Sequence, residues 1–293
     1  MMRRFLEASV SILSWLCTLC LLLSLFTLVG FLFFKGGSSL QLSLIFGNTA
    51  PLDAILLKRQ VFEGIFPAMV GTLFLIVGAM CIATPIGIAG GIYMAEYCSS
   101  KIQPVLNLAF DILAGIPSIV VGLAGLLLTI LLHRYFRENI IPCLFISSCS
   151  LAFLVVPYLI RSTQTALEST APLVRQTAPA LGASQIQNIF LVLLPNSLPD
   201  ILSGIILACG RCAEDTAVIM LTGVVATAGI PSSAWGQYEA LPFYIYYISS
   251  QYTGPDELAR GYGAAIILLL LCTTMLVCSL WVQRKITTIL LYR

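Results

Sequence analysis

The chain has 293 residues, of which 59% are hydrophobic and 10% charged, with a formal net charge of +2 and a mean hydropathy of +0.98. A soluble domain carries about 25% charged residues, so this balance excludes an ordinary soluble globule. It suits membrane lipid, because a bilayer core of about 30 Å takes roughly 20 apolar residues per crossing helix. The near-neutral charge gives no basic stripe for nucleic acid, and none is expected as a partner.

Six long apolar runs follow one another, at 8–34, 64–95, 112–132, 140–160, 199–225 and 261–283. They predict an all-α fold, a polytopic transmembrane bundle of about six helices. The first run is too long for a signal peptide and lacks a convincing small-residue cleavage site, so it reads as a retained helix. With the polar segment 36–63, expected outside, it makes an N-terminal unit spanning 1–62. Residues 63–288 form the main transmembrane unit, and 289–293 a cytoplasmic tail. Pro85 and Pro117 are expected to bend their helices, since proline removes a backbone donor and crowds the preceding turn. An even number of crossings puts both termini on one side. Arg3, Arg4, Arg284, Lys285 and Arg293 place that side in the cytoplasm. Arg134 and Arg137 then fall in a short outer loop, where this rule disfavours them, and Lys58 and Arg59 in a longer one. A second outer stretch, 229–260, carries ALPFYIYYISSQY, an aromatic cluster suited to the headgroup layer.

Ten cysteines are present, most of them inside apolar runs, where they act as small apolar side chains. The two C-x-x-C spacings, Cys17–Cys20 and Cys209–Cys212, lack the neighbouring ligands of a metal site. The sole histidine, His133, reads as a loop residue. Without a cluster of acids, histidines or an activated serine near one interface, an intramembrane enzyme is disfavoured.

The segment 161–196 is the most polar stretch between crossings. Thr170 can cap a helix that has Pro172 in its first turn and continues through Arg175, Gln176 and Ala178 to about Leu181. Gly182 fits a left-handed stop. Ser184 and Gln187 have capping-box spacing for a second short helix, which Pro195 should end before the fifth crossing. Two short helices around a glycine turn suit docking into a groove on another protein, and a plain surface linker is the alternative.

The stretch RQTAPALGASQIQNIFLVLLP at 175–195 resembles the coupling loop of ABC importer permeases, with Gly182, Leu194 and Pro195 matching. Gln176 stands at that pattern's acidic position, Thr177 follows, and Pro179 is unexpected within a helix. The segments GIYMAEY (91–97), AGIPSIVVGLAGL (114–126), VPYLIRSTQTAL (156–167), ILACGRCAEDTA (206–217) and ALPFYIYYISSQ (240–251) resemble PstA-type phosphate permeases, in the same order and over most of 60–285. The resemblance implies a type I ABC importer permease fold and a transport subunit rather than an enzyme. It implies that Arg175, Gln176, Ala178, Gly182 and Pro195 belong to the surface that couples to an ATPase. The implied partners are a PstC-type second permease, two PstB-type ATPase subunits and an external phosphate-binding protein. No cofactor is expected in this chain. It lacks a G-x-x-x-x-G-K-[ST] loop, so ATP belongs to the partner ATPase.

Arg211 lies about 12 residues, or roughly 18 Å, beyond Pro199, near the middle of the bilayer. Such an arginine faces a bundle interior or a water cavity, and its fork of donors fits phosphate oxygens. The resemblance implies that Arg161 and Arg211 serve phosphate passage. Pairing with Glu214 or Asp215, three and four residues on, is the alternative, so both acids stand with the pathway residues. Family permeases usually show Gly-Glu at those two positions. Ser118 and the break at 115–117 offer polar or bent backbone within the third crossing, and Asp111 reads as a capping or interface charge. A sister importer for sulfate, molybdate or another small solute shares most of these signals.

Overall fold

The computed structural model describes residues 2–49, 51, 64–136 and 141–291. Lys58, Arg59, Arg137 and Arg293, used above as topology signals, lie outside the described residues. Among the described residues, six helices are long and apolar enough to cross a membrane. No extended strand occurs among the described residues; a single bridge joins Val224 to Tyr238.

Helix α1 (Met2–Gly36) is followed by a 3-10 turn (Gly37–Ser39) and the short α2 (Leu42–Phe46). α3 (Phe66–Ile92) runs unbroken through Pro85 and ends in a π-turn, Tyr93–Tyr97. The third apolar run does not form one bent helix. It is split at 115–117 into α4 (Gln103–Ala114) and α5 (Ser118–Phe136). The reason lies in the sequence: Pro117 disfavours a helical residue before it, and Gly115 stabilises helix less than any residue type except proline. His133 belongs to the last turn of α5 rather than to a loop.

α6 (Leu144–Glu168) continues two turns past Arg161, so that residue is helical and not part of the polar loop. α7 (Pro172–Ala180) and α8 (Gln185–Asn188) are the two short helices. Pro195 does not end the second of them. A π-turn at Ile189–Leu193 widens the chain ahead of the proline ring and leads into α9 (Leu194–Glu214). The fifth run is then interrupted at Asp215 and Thr216, before α10 (Ala217–Thr222). α11 (Leu241–Gln251) carries the aromatic cluster, with Leu241, Pro242 and Ile248 buried and Tyr246 and Tyr247 exposed. α12 (Pro255–Leu291) completes the bundle.

α3 and α6 form its centre; half of the apolar window of α3 and 61% of that of α6 are buried, against none of α1. Their close approach depends on glycine. A Cβ on Gly87 or Gly91 would overlap the side chains of Leu159 and Thr163, and small residues let membrane helices come together in this way. Gly36, at the end of α1, packs on Tyr262 near the start of α12. Gln283, near the other end of α12, bonds Pro199 and Ser203 of α9. Both ends of the described chain therefore lie at the end of the bundle that carries α7 and α8. At the opposite end, the loop before α11 closes over α6. The carbonyls of Gly236 and Ala234 accept from the Leu144 and Phe145 N–H groups, and Tyr238 is fully buried.

Candidate functional site: an arginine where two broken helices meet

The two interruptions fall at the same level. Ala114, Ile116 and Ser118 from the first, and Glu214 and Asp215 from the second, line one cavity of about 300 Å³ with Leu154 and Arg211. Leu154 is ten residues from the start of α6, about 15 Å along a helix and so near half the depth of a bilayer core. Broken helices leave backbone groups without intrahelical partners, which are tolerated at this depth where they line a cavity.

Arg211 is held from α9, with its guanidinium carbon 5.3 Å from the centre of the Tyr158 ring of α6. That contact stabilises a cation by about 0.5–2 kcal/mol without neutralising it. Among the described residues, no carboxylate stands within 4 Å of Arg211. Asp215 does not pair with it, because α9 ends at Glu214 and the i, i+4 relation lapses. Instead, Asp215 Oδ1 accepts from the Val218 N–H in the first turn of α10 at 2.8 Å, one residue ahead of the cap position, Thr216. Glu214 lies between this cavity and an apolar cleft shared with α12. Ser118, the first residue of α5, is half-buried at the cavity wall. A cation with a planar fork of donors, in a cavity at this depth, is suited to taking an oxyanion.

Arg161 sits one turn beyond Tyr158 on α6. Its Nε is 3.2 Å from Asp111 Oδ1 of α4, and Nη1 donates to Gln164 Oε1 at 3.2 Å. It lines a second cavity of about 460 Å³ with Tyr158, Ser162, Thr165 and Asp200. Tyr158 thus lines the cavity of Arg161 and holds its ring against Arg211 of the first cavity. Gln164 in turn donates to Glu168, as does Gln103 from the start of α4.

α7 and α8 follow the spacing of the sequence closely. Gly182 has φ +85°, in the left-handed region, and Ser184 and Gln187 form the reciprocal capping box. Thr170 does not cap α7; the cap position is Ala171, and Thr170 Oγ1 lies 3.0 Å from Ser197 Oγ of α9. Pro179 is accommodated by a substitution of partners. Its ring removes the N–H that would reach the Arg175 carbonyl, and Asn188 Nδ2 donates there instead at 3.1 Å. Arg175 points inward, with Nη1 2.6 Å from Glu96 Oε1 in the π-turn after α3 and Nη2 donating to Leu167 O at 2.9 Å. Gln185 Nε2 donates to the Glu96 carbonyl. Gln176 and Gly182 are exposed, while Ala178 and Pro195 are partly covered. Leu173 and Leu181 are 84% and 86% exposed and give this segment an apolar outer surface.

Sequence reasoning missed Glu96, Tyr158 and the second helix break. Glu96 and Arg175 are 79 residues apart, beyond any local spacing rule. Tyr158 reads as one more aromatic in an apolar run. The break at Asp215 and Thr216 carries no proline or glycine to announce it.

The chain belongs to the family of binding-protein-dependent transport system inner membrane components, whose model matches residues 87–288. Solved structures with the same fold include a bacterial alginate ABC transporter (TM-score 0.64, 18% identity, 93% of this chain and 95% of that one). A second is the MetNI methionine ABC transporter (TM-score 0.54, 17% identity, 82% and 100%). The chain is therefore a permease of the ABC transporter type, a multi-pass membrane protein. Within that class it is of the PstA type. It is 30% identical to the phosphate transport system permease protein PstA of Haemophilus influenzae, over 88% of this chain and 84% of that one. It is 34% identical to that of Yersinia pestis, over 70% and 66%. A probable ABC transporter permease protein, YqgI of Bacillus subtilis, is 26% identical over 76% and 79%.

Proposed function

We propose that this chain is one of two permease subunits of an ATP-driven importer of inorganic phosphate in the cytoplasmic membrane. The observation that carries the reading is Arg211, a cation with no carboxylate within 4 Å among the described residues, in a cavity where two broken crossings meet and whose wall includes Glu214 and Asp215. Phosphate offers several oxygens to a planar donor fork. Sulfate and molybdate share that geometry, and the names of the relatives favour phosphate. On this reading the anion passes from Arg211 past Tyr158 to Arg161, with Ser118 offering a hydroxyl at the first station and Glu214 and Asp215 shaping its wall.

The end carrying α7 and α8 faces the cytoplasm, consistent with Arg284 and Lys285 near that end. The exposed Leu173 and Leu181 then seat in an ATPase subunit, beside Gln176, Ala178 and Gly182. Arg175 and Pro195 join that surface to the bundle from within. ATP binds on two PstB-type ATPase subunits, a PstC-type permease completes the pathway, and a phosphate-binding protein delivers substrate from outside. A cysteine placed at position 187 should react with a membrane-impermeant reagent only from the cytoplasmic side. The deciding experiment is uptake by the assembled importer of labelled phosphate, sulfate and molybdate at equal concentration. Phosphate uptake at least tenfold above the others supports the proposal, and preference for another anion overturns it.

A further inference from the structure

Arg161 is already occupied. Its Nε is held by Asp111 across the gap between α6 and α4, at 3.2 Å, while its other side opens on the cavity that contains Tyr158, Ser162 and Thr165. α4 is pinned beside α6 a second time, where Gln103 and Gln164 both donate to Glu168 at 2.9 Å. Asp111 is therefore kept within reach of Arg161 by contacts of its own helix. The pair is open to water, with side-chain exposures of 36% for Arg161 and 58% for Asp111. Open pairs are weak, so an incoming dianion can displace this carboxylate. A tethered carboxylate nevertheless competes as if at high local concentration, however little free anion surrounds it.

We infer that Asp111 is a release residue: its carboxylate competes with the transported anion for Arg161 and returns the anion to the inner side. This rests on the phosphate reading above. An anion leaving Arg211 meets Arg161 next, one turn past the Tyr158 ring. A lone arginine there would hold the anion. Exchange for Asp111 leaves Arg161 neutralised and lets the anion go without any proton transfer.

The test uses the complete importer in proteoliposomes, with ATP and graded phosphate inside and the binding protein with labelled phosphate outside. Initial uptake is read against internal phosphate. In Asp111→Asn, the internal phosphate that halves uptake should fall about fivefold, equivalent to roughly 1 kcal/mol. Asp111→Ser should behave like Asp111→Asn, and Asp111→Glu should remain within about twofold of the unsubstituted importer. A merely structural pair would change abundance and leave this inhibition constant alone. Equal inhibition in the neutral variants and the unsubstituted importer overturns the inference. So does absence of both neutral variants from the membrane, which would make the pair structural. Failure of the unsubstituted importer to take up phosphate overturns the phosphate reading and this inference with it.

Discussion

Replacing Arg175 by alanine removes the partner of a nearly buried carboxylate. The Glu96 side chain is 9% exposed and Arg175 is 30% exposed. Stranding a fully buried ion costs about 3–5 kcal/mol, whereas an exposed pair contributes about 1 kcal/mol or less. This pair lies between the two limits, and the Leu167 carbonyl loses a donor as well. A cost of about 2 kcal/mol follows, equivalent to roughly thirtyfold in the equilibrium between docked and undocked α7. The assay is amide hydrogen exchange over α7 and α8, which reports local opening independently of transport. Arg175→Ala should exchange about thirtyfold faster there, with the centre of α6 unchanged. Arg175→Met combined with Glu96→Gln should recover most of the protection, because no charge is left uncompensated. Unchanged exchange in the single variant would mean that the Glu96–Arg175 pair does not hold α7 in place.

Asn188→Ala should loosen the same segment by about 1 kcal/mol, and much less when Pro179→Ala restores the backbone donor; a double-mutant cycle measures the difference. Gly182→Val should cost about 1–2 kcal/mol at φ +85° and abolish uptake at normal membrane abundance, read by transport and immunoblot together. In the loop before α11, Glu239 Oε1 accepts from the Ala228 and Gly229 N–H groups at 2.9 and 2.7 Å. Burial pushes its carboxyl above the usual range, against the pull of those two bonds. A raised folded pKa gives stability that is complete below the unfolded value and lost as pH rises through the folded one. The melting temperature should therefore fall across the weakly acidic range, and Glu239→Gln, which keeps the acceptor oxygen, should remove that dependence.

What could be read in the sequence was local. The capping box at Ser184, the left-handed Gly182 and the break at 115–117 each follow from chemistry within a few residues, and the structure has all three. The apolar runs likewise mark six crossings because length and hydropathy alone decide them. What escaped was tertiary. Pro195 should stop a helix by its own geometry, but the π-turn ahead of it makes room for the ring. Pro179 should weaken α7, but the side chain of Asn188 supplies the missing donor. The i, i+4 spacing of Arg211 and Asp215 suggested a pair only on the assumption of a continuous helix, and the helix ends between them. The acidic partners of Arg161 and Arg175 come from segments far away in the chain.

On the phosphate proposal, Arg211 meets the transported anion rather than neutralising an acid. The most direct measurement is labelled phosphate uptake by the assembled importer carrying Arg211→Gln, alone and together with Glu214→Gln and Asp215→Asn, at equal membrane abundance. The triple variant leaves no charge among the described residues of the cavity wall, and asparagine at 215 retains an oxygen for the Val218 N–H. Uptake should be lost in Arg211→Gln and stay lost in the triple variant, since the donor fork is gone in both. Arg211→Lys should keep part of the activity, as a point charge without the fork. Recovery of uptake in the triple variant would mean that Arg211 is a counter-ion and not a ligand of the anion.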